Sequence, residues 1–119
     1  MSLEPLSLKI EFSGGLELLF SNQRSHNITI PRTVRRDNST SLLPLEDGIE
    51  TKPADITYLI HYLRDHLLKE RPELFIENQT VRPGILVLVN DTDWELEGEG
   101  DYELKSGDEI VFISTLHGG

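Results

Sequence analysis

Near the end of this 119-residue sequence, the run Glu109 to Thr115 sets four apolar side chains in succession: Ile110, Val111, Phe112 and Ile113. β-Branched and aromatic residues that are apolar on both alternating faces suit a strand in the interior of a sheet. Two other segments also read as strands. Leu6, Leu8, Ile10 and Phe12 alternate with Ser7, Lys9 and Glu11, the pattern of a half-buried strand. Ile85 to Val89 is a second continuous apolar run, bounded by Pro83-Gly84 and Asn90-Asp91 and too short for a free helix, so a strand covered on both faces is expected.

Between these segments the pattern changes. Gly14-Gly15 signals a turn, and Leu16 to Phe20 resumes an extended pattern that recovers near Ile28 and Ile30, which predicts a first hairpin. Residues 31–53 hold Pro31, Pro44, Pro53 and the run Asn38-Ser39-Thr40-Ser41 with few periodic apolar positions, and read as a long surface loop. After Asp55, a suitable N-cap, Ile56, Leu59, Ile60, Leu63 and Leu67 recur at spacings of three and four, which predicts an amphipathic helix ending before Pro72. The order is hairpin, helix, strand, irregular acidic segment, strand. It predicts an α+β chain of the β-grasp type, a mixed sheet of about four to five strands covered by one main helix. A single domain is expected over residues 1–119, with the long loop at 31–53 and a flexible tail at 116–119.

Composition excludes several functions. The chain has no cysteine, so it has no disulfide, thiolate metal site or thiol nucleophile of its own. Its 21 acidic and 11 basic residues give a net charge of −10, which opposes binding to a phosphate backbone and favours encounter with a basic protein surface. No basic leader precedes an apolar run, and nowhere do eighteen apolar residues follow one another. A protein of the cytoplasm, or also of the nucleus, that binds neither nucleic acid directly nor membrane is expected.

Candidate sites within the domain are weak. Asp93, Glu95, Glu97 and Gly98 can be threaded onto a calcium loop, but its twelfth position is Leu104 where a bidentate Glu is needed. His26, His61, His66 and His117 include no pair at the three- or four-residue spacing that presents two metal ligands on one helix face. Trp94 reads as a packing anchor. With no phosphate loop, nucleophile elbow or acid/base pair, the chain reads as a substrate and carrier and not as an enzyme.

The remaining feature is Leu116-His117-Gly118-Gly119, directly after the apolar strand. Two glycines without Cβ atoms can thread a narrow channel and present the main-chain carboxylate to an enzyme. A free carboxylate is a poor electrophile, so a partner must activate it. Taken alone, the dipeptide is equally compatible with a frayed end.

Several blocks together resemble the ubiquitin-related modifier family. They are Phe12-Ser13-Gly14-Gly15-Leu16 with Phe20, Gln23-Arg24 and His26; Ile76-Glu77; Arg82-Pro83-Gly84-Ile85; Asn90 to Gly98 through Asp93-Trp94-Glu95-Leu96-Glu97-Gly98; and Ser114-Thr115-Leu116-His117-Gly118-Gly119. The resemblance covers the chain except residues 31–53, where the loop is longer than usual and carries Arg32, Arg35 and Arg36. It implies a β-grasp protein, expected to be monomeric, with no bound cofactor. An E1-like adenylyltransferase with a rhodanese domain would use ATP and persulfide sulfur to adenylate Gly119 and convert it to a thiocarboxylate. Gly118, His117 and Leu116 would be the recognised tail. The resemblance further implies sulfur delivery through a tRNA thiolation enzyme complex to the wobble uridine of cytosolic tRNAs, and isopeptide attachment of Gly119 to lysines of target proteins. Two other readings stand beside it: a sulfur carrier for molybdopterin synthesis, and a passive ubiquitin-like interaction domain.

Overall fold

A computed structural model of the protein describes residues 4–41 and 43–115. Strand β1, Leu6–Ser13, buries Leu6, Leu8, Ile10 and Phe12, as its alternation predicts. It pairs antiparallel with β2, Ser25–Ile30, from Leu6 opposite Ile30 to Glu11 opposite Ser25. The first hairpin therefore exists, but Leu16–Leu19 forms a 3₁₀ turn where an extended run was expected. Its residues follow a helical repeat: Leu16, Leu19 and Phe20 are buried while Leu18 is 60% exposed.

Residues 31–53 are not wholly loop. Thr33–Arg35 (β3) and Thr51–Pro53 (β4) pair antiparallel as a short stem. Three residues per strand are too few to show a period. Thr40, in the loop above, is buried and donates to Asp65 Oδ2 at 2.6 Å, which ties the loop to the helix end.

Helix α1, Ile56–Tyr62, continues as a wider π-type turn through Leu63–Leu67. Asp55 caps it by accepting from the Tyr58 amide at 2.9 Å, and Lys52 Nζ lies 2.9 Å from the same carboxylate. Ile56, Leu59, Ile60 and Leu63 are fully buried. Arg64, next along the chain, is half-buried and paired with Asp65 at 2.7 Å.

The chain then forms a tight hairpin, β5 at Ile76–Glu77 and β6 at Thr80–Val81, before β7, Ile85–Val89, and β8, Thr92–Asp93. Strand β9, Glu109–Ser114, completes the sheet. The strand order is β2-β1-β9-β7-β8. β9 is central, parallel to β1 and antiparallel to β7. This is the mixed five-stranded sheet with one main helix that the sequence predicts.

Under α1 the sheet carries a cluster of rings. Phe12 and Phe20 stack at 3.8 Å between centroids, Phe12 lies 5.7 Å from Phe112, and Phe75 meets Phe20 edge-on at 5.2 Å. β7 departs from expectation. Ile85, Val87 and Val89 are buried, but Leu86 and Leu88 on its other face are only partly so. They stand opposite Ile113 and Val111 of β9, so these apolar side chains shield one another where a second covering layer was expected.

Candidate functional site

The tail residues Leu116, His117, Gly118 and Gly119 lie outside the described residues, so the site is approached through the last residues before them, Ser114 and Thr115. Ladder pairing of β9 with β7 reaches Ser114 opposite Ile85. One residue later, Thr115 places two donors on one acceptor: its amide reaches the Gly84 carbonyl oxygen at 2.8 Å and its Oγ1 hydroxyl the same oxygen at 2.6 Å. That carbonyl belongs to the turn Arg82-Pro83-Gly84-Ile85, closed by Ile85 N to Arg82 O at 3.1 Å. Proline at the second position and glycine at the third, with Gly84 at φ 98°, suit such a turn.

The opposite side is closed by the turn after β1. Gly14, at φ 71°, packs so closely that a Cβ there would run into the Ser114 carbonyl oxygen. Two turns distant in sequence thus hold the last two described residues. Both turns are visible as Gly-containing signals, but nothing in the spacing of residues 14, 84 and 115 links them. Sequence reasoning missed this node because only the central placement of β9 brings the three together.

Trp94 is 9% exposed and belongs to the core, as expected of a packing anchor. It begins a 3₁₀ turn, Trp94–Glu97, whose first amides are capped by Asp93 accepting from Glu95 N at 2.9 Å. Gly100 lies where a Cβ would collide with Thr57 Oγ1 of α1, which donates to the Gly100 carbonyl at 3.1 Å. The segment is therefore seated against the helix with Glu95, Leu96, Glu97 and Glu99 exposed. Tyr102 donates to Asp108 at 2.8 Å, and burial together with that carboxylate pushes its phenol up to about 12.

Among the other histidines, His61 is buried and its Nε2 lies 3.3 Å from the Gln79 carbonyl oxygen. Burial lowers its pKa. His66 Nε2 lies 3.0 Å from the Thr40 carbonyl, and His26 meets the edge of Phe12 at 5.4 Å between centroids. Among the described residues, no three His, Asp or Glu side chains gather to hold a metal, and no helix is long and apolar enough to cross a membrane.

A five-stranded mixed sheet crossed by one helix, with its central strand delivering the C-terminal segment, defines a ubiquitin-like β-grasp protein. Comparison with known proteins narrows this class. The family model described as Urm1 (Ubiquitin related modifier) matches residues 7–119, and the chain belongs to that family. It is 74% identical to ubiquitin-related modifier 1 of Coprinopsis cinerea, over 96% of this chain and 93% of the relative. It is 49% identical to that of Homo sapiens, over 97% of both chains. Its fold is similar to the solution structure of Urm1 from Trypanosoma brucei, with a TM-score of 0.68, 39% identity and 100% of each chain covered.

Proposed function

We propose that this protein is a sulfur carrier and protein modifier whose reactive group is the Gly119 carboxylate. The observation that carries the reading is that the family match runs through the terminal Gly118-Gly119, directly beyond a central strand whose end is held by two turns. An E1-like adenylyltransferase would join the carboxylate to the α-phosphate of ATP with release of pyrophosphate. A persulfide on its rhodanese domain would then displace AMP to form an acyl disulfide, and a second thiol of the enzyme would attack its S–S bond, releasing the carrier as the thiocarboxylate and leaving a disulfide on the enzyme. Leu116, His117 and Gly118 would be the segment read by that enzyme.

Downstream, the thiocarboxylate would supply a tRNA thiolation enzyme complex acting on wobble uridine, and the activated carboxyl would also be passed to lysines of target proteins. With a net charge of −10, the carrier itself would not hold the tRNA; the thiolation enzyme would. On this reading it holds no cofactor and works in the cytoplasm, with the nucleus also open to it.

The test is ATP-dependent loading by the activating enzyme, followed by intact mass. Replacement of one terminal oxygen by sulfur is expected in the wild type, and none after deletion of Gly119. Removing one residue draws the carboxylate back by about 3.3–3.6 Å, whereas a misplacement of about 1 Å already slows reaction roughly a hundredfold. Normal loading of the deletion variant would overturn the proposal.

A further inference from the structure

We infer that Thr115 is a positioning residue for the loading reaction, its hydroxyl fixing the strand end that precedes residues 116–119. The inference rests on the carrier reading above. Thr115 is exposed, so it does not serve as a core residue. Yet its amide and hydroxyl both reach the Gly84 carbonyl oxygen, at 2.8 and 2.6 Å. The amide bond simply continues the β9–β7 ladder and would be made by any residue other than proline. A second donor on the same oxygen requires a serine or threonine hydroxyl at that position.

Ser114, one residue earlier, has its carbonyl oxygen against Gly14, where no Cβ fits. The chain is therefore held from β7's side by Gly84 and from β1's side by Gly14 at its last two described residues. Beyond Thr115 only four residues lead to Gly119, a reach of about 13–14 Å when extended. Over so few residues, the position of Thr115 limits where the Gly119 carboxylate can meet the reacting phosphate. If Thr115 came away from Gly84, the described hydrogen-bonded chain would end one residue earlier, at Ser114.

Loss of one hydrogen bond of this kind shifts the held population by about two- to tenfold, with water able to replace the hydroxyl at an exposed carbonyl. The folded surfaces that an enzyme would grip stay unchanged. A positioning role therefore predicts a fall in kcat for adenylate formation with KM for the carrier nearly constant.

The experiment compares wild type, Thr115→Val and Thr115→Ser in steady-state adenylation with ATP and the activating enzyme, with thermal melts alongside. Valine keeps the shape, the amide bond and the strand preference but lacks the hydroxyl; serine restores it. The expected result is about a two- to tenfold lower kcat for Thr115→Val, rescue by Thr115→Ser to within about twofold, and coincident melting curves. Wild-type kcat in Thr115→Val would overturn the inference, as would equal impairment of the two variants. A wild-type protein that forms no adenylate would overturn the carrier reading and this inference with it, an outcome distinct from normal wild-type loading with an unaffected valine variant.

Discussion

The two faces of the sheet are made by the same strands and do different work. Facing α1, the side chains of Ile10, Phe12, Val87, Ile110 and Phe112 are all fully buried. On the open face, Leu86, Leu88, Val111 and Ile113 are partly exposed, and Lys9 sits between Glu11 at 3.6 Å and Glu109 at 3.4 Å. Stability is concentrated on the covered face, because side chains there leave water completely and pack against a second layer. The open face gains only what cross-strand neighbours give one another.

The largest expected effect tests the covered side. Leu63→Ala should lower stability by about 2–5 kcal/mol in denaturant melts, since the site is fully enclosed beneath the helix. On the open face, Leu88→Ala should lower it by about 1 kcal/mol or less, because only part of that side chain leaves water on folding. Equal losses would break the contrast between the faces.

A gentler effect should appear with pH. His61, on the helix and buried against the hairpin of β5 and β6, has its pKa lowered below 6.5 by burial. The unfolded chain therefore takes up a proton there first, so the contribution of neutral His61 is complete above 6.5 and is lost as pH falls toward the folded value. Stability should decline as pH drops from about 7.5 to 5, and His61→Gln should flatten part of that decline. An unchanged slope in the variant would assign the pH dependence to other groups.

The smallest effect concerns the tail. Deleting Gly119 should leave the melting curve unchanged while abolishing loading, because the residue lies beyond Thr115, where the ladder ends among the described residues. A shifted melting curve would mean that the tail contributes to the fold as well as to chemistry.

Elements with a sustained period were legible in the sequence. β1 shows alternation over seven residues, α1 shows a three-four stripe behind a capping Asp55, and β9 shows its central place through apolar residues on both faces. What failed was shorter or relational. Leu16–Leu19 looked extended because four residues cannot separate a helical from a strand repeat. The β3–β4 stem was hidden by the three-residue length of its strands and by the proline in one of them. β7 was read as doubly covered since an apolar run records only that both faces avoid water. A neighbouring strand's side chains meet that requirement as well as a layer above does. For the site, Thr115 fell within a block that carries the family resemblance, but nothing in the sequence paired it with Gly84. Its bond to Gly84 follows from topology.

The place of β9 has a further consequence during synthesis. Until residues 109–114 have left the ribosome, the ribbon of β1 with β2 and the ribbon of β7 with β8 share no strand, and nothing joins them into one sheet. Pairing across so great a sequence separation is slow compared with local structure. A chain cut short before residue 109 would keep its helix-forming stripe and both hairpin signals, yet expose apolar faces with no interior strand to close them. Such a fragment would lack the strand on which both ribbons pair. Arrival of the last strand thus joins two separate ribbons into one sheet in a single late step.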